Sequence, residues 1–302
     1  MIAASHVAWP RQNAESLGDA VLRSEHDLTT LGLFDDTNLL KIFDSHPRDQ
    51  LLIYTMGNDH TQLDDFRFGS RGDLSSDELL EQVKQGRLWL NILDLQFHHA
   101  EFHDLINGLY DELESKTPGF KAHQRSANLL VSSPTSQVYY HADAPLNMLW
   151  HLRGKKRVWV YPPNDFRFAS AESLEKIFSG ETEDDLPYDP GFDDVADIFD
   201  LSPGDMLTWP QNTPHRIENQ EGLNVSMTTE HYTYAAYRRR TVFMANYYFR
   251  RWFHLPMRST RTEGAVANLK RLSYRLCRQL PLPRVERFQS DVAFEMRAKA
   301  QS

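Results

Sequence analysis

Between Ala127 and Pro163 four strand-length apolar runs follow one another closely: ANLLVSS, QVYYHAD, LNMLWHL and KRVWVYPP. Ser-Pro, Ala-Pro and Arg-Gly-Lys-Lys turn signals separate them. Runs this short, rich in Val, Tyr and Trp, predict a β-sheet core rather than helices. The pattern resumes at MLTWP (206–210), HRIEN (215–219) and LNVSMTTEHY (223–232). The intervening residues 170–200 are strongly acidic and read as an insertion at the sheet's edge.

His141-Ala142-Asp143 closes the second run. Side chains alternate along a strand, so positions 141 and 143 point the same way and can grip one ion together. His215, behind Pro214 on a distant strand, would complete two histidines and one carboxylate on one face of an octahedron. Three positions then stay open, as non-haem iron(II) oxygenase chemistry needs. A zinc hydrolase with the same ligands needs a general base beside a bound water, and no spacing here identifies one. The single cysteine, Cys277, excludes an internal disulfide and any cysteine-rich zinc site. In a chain with 13 histidines a lone His-x-Asp is unspecific. Its context sharpens it: a Leu201-Ser-Pro-Gly-Asp205 turn, then Trp209-Pro210, then Thr213-Pro214-His215.

These motifs, with Asn147 on the next strand and a Gly154-Lys-Lys-Arg turn into Val-Trp-Val-Tyr-Pro-Pro163, agree in order and approximate spacing with one family. Over residues 125–233 the chain resembles the Jumonji C and cupin-like 2-oxoglutarate oxygenases, whose members include a protein asparaginyl hydroxylase. The resemblance implies a mainly β fold with flanking helices, built on a double-stranded β-helix (cupin, jelly-roll) core. It implies Fe(II) held by His141, Asp143 and His215, with 2-oxoglutarate and O2 as co-substrates. It places Lys156 opposite the far carboxylate of 2-oxoglutarate, with Lys155 as the competing choice, and Asn147 beside the co-substrate. Val138 departs from the family, which often carries a hydroxyl there; Tyr139, sharing a face with His141 by alternation, is expected to supply one instead.

Three regions are expected: a mixed N-terminal part (1–120), the core (121–235) and a basic helical extension (236–302). Ser75 and Glu78 form a capping box ahead of one N-terminal helix, and Glu101–Leu113 repeats apolar residues at helical spacing. Residues 1–70 show no sustained period. Of the 33 Lys/Arg and 42 Asp/Glu, 15 and 4 fall in 236–302, so the extension carries +11 and the rest −20 of a net −9. Self-docking on the acidic body, nucleic acid and an acidic partner are all open readings of that asymmetry. Within the extension Val266, Leu269, Leu272, Leu276 and Leu280 share one helical face, which needs the barrel or a second subunit, as in a homodimer, to cover it. Pro281 and Pro283 end that run.

His151 and His231 are expected in the core, as are Trp150, Trp159 and Trp209; His98, His99 and His103 lack a His-Glu-x-x-His pattern and read as surface residues. No apolar run is long enough to span a membrane, and the start of the chain lacks a secretory pattern, so a cytoplasmic protein is expected. The leading expectation is a dioxygenase hydroxylating a protein, peptide or amino-acid-like substrate with release of succinate and CO2, with small molecules and RNA bases open. The alternatives are a metal-containing cupin-like regulatory protein contacting nucleic acid or a partner through its basic extension, and a cupin isomerase or hydrolase that needs no 2-oxoglutarate.

Overall fold

The structure, a computed structural model, describes residues 5–280, 288 and 290–298. The break expected at Pro281 and Pro283 lies outside the described residues. In the N-terminal part short strands β1 (Val7–Ala8), β2 (Leu22–His26), β3 (Leu51–Thr55), β4 (Arg67–Ser70) and β5 (Leu88–Ile92) alternate with helices. The helices are α1 (Arg11–Ser16), α2 (Asp36–Ser45), α3 (Ser76–Gln85), α4 (Leu95–His98) and α5 (Ala100–Lys116). α3 starts at the expected capping box: Ser75 Oγ accepts from the Glu78 amide, and the Glu78 carboxylate accepts from the Ser75 amide. The unpatterned first 70 residues thus still supply strands, because strands of two to five residues need only a few alternating apolar positions.

The core strands are β6 (His123–Ser132), β7 (Gln137–His141), β8 (Leu146–Val160), β9 (Asp197–Leu201), β10 (Asp205–Thr208) and β11 (His215–Tyr232). Helix α6 (Ala171–Ser179) lies in the acidic insertion; α7 (Tyr234–Phe253) and α8 (Ala265–Cys277) form the extension, and β12 (Phe294–Glu295) pairs back onto β4. The sheet order is β1-β2-β10-β8-β11-β6-β5-β3-β4-β12, with β7 also on β11 and β9 also on β8. The N-terminal strands therefore extend the same sheet as the core.

β8 and β11 shape the molecule. The first half of β8 pairs with β10 and the second half of β11; its second half pairs with β9 and the first half of β11. Each strand thus serves two layers, the arrangement of a double-stranded β-helix with flanking helices. Here the structure corrects an expectation: Arg153-Gly-Lys-Lys156 is no chain reversal but a bend within one continuous strand. Gly154 makes the bend at φ +80°, and a Cβ there would stand 2.8 Å from the Leu223 carbonyl oxygen. Gly222, at φ +72°, matches it on β11, where the register shifts. The insertion is likewise more structured than an edge loop, since its last residues form β9.

A small core of Leu149, Val158, Val160, Leu201, Leu207, Trp209 and Ile217 fills the space between the layers, and a larger one packs the N-terminal helices on the other side of the sheet. Trp150, Trp159 and Trp209 are all buried, each large side chain contributing roughly 1.5–3 kcal/mol of burial. His99 departs from expectation: it is buried, and its Nε2 lies 3.1 Å from Nδ1 of buried His46, while His98 and His103 are exposed.

The extension packs against its periodicity. Val266, Leu269, Leu272, Leu276 and Leu280 are 49–64% exposed, while Ala267, Lys270 and Cys277 are buried. Small residues let α8 approach α7 closely, and the Lys270 ammonium caps the Ser259 carbonyl. The barrel is therefore not what covers the apolar face. Among the described residues no helix is long and apolar enough to cross a membrane.

Candidate metal centre

His141 is the last residue of β7 and His215 the first of β11, and the two are register partners. Asp143 follows two residues after His141, in the loop leading to β8. One ligand atom from each of the three lies within 4.8 Å of the others, and theirs is the only such group among the described residues. The imidazoles are pre-oriented: His141 Nδ1 is 2.8 Å from the Tyr139 carbonyl oxygen and His215 Nδ1 is 3.1 Å from that of Thr213. Each carbonyl accepts the Nδ1 proton and so leaves Nε2 with its lone pair free for a cation. His215 Nε2 stands 3.7 Å from Asp143 Oδ2. Burial, helped by neighbouring His141, pushes the His215 pKa well below the usual imidazole range, so the ring stays neutral. Trp209 packs against it with ring centroids 4.3 Å apart. The donor set, its spacing and its tautomers fit a divalent transition metal.

Asn147, one strand over, donates from Nδ2 to Asp143 Oδ2 at 3.0 Å, while its buried Oδ1 has no partner among the described residues. It orients the carboxylate and keeps one acceptor unused. The two lysines separate cleanly. Lys155 is exposed and pairs with Glu221 at 2.7 Å, whereas Lys156 is 4% exposed, on the inward face it shares with Val158 and Val160. Among the described residues Lys156 has no hydrogen-bond or ion-pair partner, and burial pulls its pKa down to about 7. His151 and His231 are core groups, one bonded to Ser226 and the Gly154 carbonyl, the other to Tyr110.

Tyr139 is buried beside His141, with ring centroids 5.7 Å apart. A register shift between β7 and β11 sets Val138, not Tyr139, opposite inward-facing Ile217. The Tyr139 hydroxyl instead donates to Asp184 Oδ1 at 2.9 Å, with Glu183 Oε2 at 3.5 Å.

Several neighbours of the triad escaped sequence reasoning. Residues 184–186 of the insertion run beside β7: Ala142 donates to the Asp184 carbonyl at 3.0 Å, and Asp185 bridges opposite His141. Burial and adjacent Asp184 raise the Asp185 pKa. Burial, then Asp143, push Glu230 up to about 8. A cavity of about 340 Å³ lined by Tyr54, Phe66, Tyr139, Glu183, Asp185 and Ser290, among others, adjoins this edge. The only signal for these residues was the Glu-Asp-Asp run at 183–185, indistinguishable from solvated charge. Asn212 and Arg239, which support the Asp143 loop from the far side, had no signal at all.

Residues 23–251 match the family model described as a cupin-like domain. No curated protein matches the chain. Among solved structures, an X-ray structure of E. coli ycfD aligns with TM-score 0.52 and 12% identity over 92% of this chain and 69% of that one. A crystal structure of the Escherichia coli ribosomal oxygenase YcfD gives 0.51 and 12% over the same shares. At that identity the likeness is one of fold.

Proposed function

This chain belongs to the cupin-like domain family, and from that premise we propose that it is an Fe(II)- and 2-oxoglutarate-dependent dioxygenase of the hydroxylase type. One observation carries the reading: a buried lysine with no anionic partner among the described residues shares the interior of a β-helix with a His-Asp-His cluster. An ammonium so placed is costly unless a carboxylate arrives to meet it. His141, Asp143 and His215 would hold the iron, and Lys156 the far carboxylate of 2-oxoglutarate. With iron bound, O2 and 2-oxoglutarate supply the oxidising power that converts a substrate C–H to C–OH, leaving succinate and CO2.

The chain's own residues supply geometry. The Tyr139 and Thr213 carbonyls fix both imidazoles; Asn147 holds one carboxylate oxygen of Asp143 through its Nδ2; Trp209 and the interlayer core exclude water from one side. For the substrate we propose a protein or peptide side chain. A ribosomal oxygenase of the same fold is consistent with a protein substrate. The carboxylates of Glu183 and Asp185 have no ion-pair partner among the described residues, which favours a side chain carrying positive charge. The nucleic-acid alternative is less favoured, because Arg250 of the extension is engaged with Glu172 and Glu175 of the body.

Anaerobic titration of the Fe(II)-loaded protein with 2-oxoglutarate tests the proposal through the weak visible metal-to-ligand charge-transfer band. The band should be lost in His141→Ala and weakened in Lys156→Ala. A folded, iron-loaded wild type that gives no band would leave the metal-containing binding protein, or a cupin that needs no 2-oxoglutarate, as the better reading.

A further inference from the structure

Arg239 lies on α7, in the extension that contributes no ligand, yet its side chain reaches the loop carrying Asp143. Its Nε donates to Asn212 Oδ1 at 2.9 Å and its Nη1 to Asn164 Oδ1 at 2.8 Å. Asn212 passes the contact on: its Nδ2 donates to the main-chain oxygen of Asp143 at 2.8 Å. Beside it, Gln211 Nε2 holds the carbonyl of Ala144 at 2.8 Å. Both asparagines sit at φ +61°, a left-handed conformation that asparagine adopts more readily than most residues. The guanidinium stacks over Phe243 and has no carboxylate partner among the described residues; burial lowers its pKa to about 10. A desolvated cation whose hydrogen bonds go to two amide oxygens is an expensive way to brace a loop unless the loop's exact path matters.

The path matters at Asp143. His141 and His215 stand on paired strands, where the ladder fixes their backbone. Asp143 stands beyond the end of β7, where no ladder reaches. Its side chain is held by Asn147 and its main chain by Asn212, so the residue is fixed at both ends.

We propose that Arg239 is a positioning residue for the metal centre, setting through Asn212 the angle at which the Asp143 carboxylate meets the ion. The inference rests on reading His141, Asp143 and His215 as metal ligands.

The test is anaerobic titration of the full-length, metal-free chain with Co(II), whose visible ligand-field bands report coordination geometry and whose binding curve gives Kd. Arg239→Ala and Asn212→Gly should each raise the Kd about tenfold and shift the bands. Arg239→Lys should recover part of the loss. Asn164→Ala removes the other partner of Arg239 without touching the Asp143 loop, and should stay within about twofold of wild type, the level expected of a support that does not reach a ligand. Glycine accepts φ +61° freely, so Asn212→Gly keeps the loop's path and decides the matter even if Arg239→Ala does not fold. Wild-type affinity and bands in Asn212→Gly, or an equal loss in Asn164→Ala, overturn the inference alone. A wild type showing no Co(II) uptake that His141→Ala abolishes overturns the metal centre and the inference with it.

Discussion

Lys156 is buried with no hydrogen-bond or ion-pair partner among the described residues, and its energetics make the co-substrate proposal quantitative. Its pKa falls from an ordinary 10.5 to about 7 on folding. Above about pH 10.5 the side chain is neutral in both states and folding is not penalised; below about 7 it is charged in both and the penalty is complete. Stability of the ligand-free protein should therefore fall as pH drops from 10.5 to 7, then level off as far as this group is concerned. Replacing the ammonium by an apolar chain of similar length, Lys156→Met, should stabilise the ligand-free protein by roughly 1–3 kcal/mol in urea denaturation near neutral pH while removing 2-oxoglutarate binding. A destabilised Lys156→Met would point to an internal partner and count against the proposed role. A bound carboxylate restores the charge, so binding at pH 8 should take up a proton, visible calorimetrically in buffers of different ionisation enthalpy, and affinity should weaken as pH rises above about 7. At this scale the His-x-Asp pair was legible as a short motif in its context, and Lys156 only through the family resemblance, although Asp143 stands past the end of β7 rather than on it. The partners of the Tyr139 hydroxyl, Asp184 and Glu183, were not legible, because nothing local in the sequence marks where the insertion returns to β7. Arg239 and Asn212 were invisible because their meeting depends on where α7 docks.

Among the elements, β8 shows how one glycine can be misread. Gly154 inside a Lys/Arg-rich stretch looks like a hairpin turn, yet its positive φ serves a bend that keeps one strand running through both layers. Gly154→Ala should cost about 2 kcal/mol or more in denaturant unfolding, from the left-handed backbone and the contact with the Leu223 carbonyl. A cost near zero would mean that β11 yields at its own irregularity. α8 makes the opposite point: its periodicity was legible and its orientation was not. Amphipathic spacing locates a buried face only if something is there to bury it, and Ala267, Lys270 and Cys277 pack instead. Leu269→Glu and Leu272→Glu should accordingly change the stability of the single chain by less than about 0.5 kcal/mol, measured in urea at low protein concentration. A loss of several times that would show that this face is covered in solution.

For the molecule as a whole, the charge division between acidic body and basic extension is partly internal, since Arg250 bridges to Glu172 and Glu175 on α6. The extension also braces the core: Arg239 bonds Asn212, which in turn holds the main chain of Asp143. The two-layer architecture has a kinetic corollary. Because β8 and β11 each run through both layers, neither layer can open while the other stays closed, and amide hydrogens in both should exchange with solvent through one shared opening. A divalent cation seated between β7 and β11 would then slow exchange far from itself, at β10 and the first half of β8, because it taxes the single event by which either layer becomes accessible.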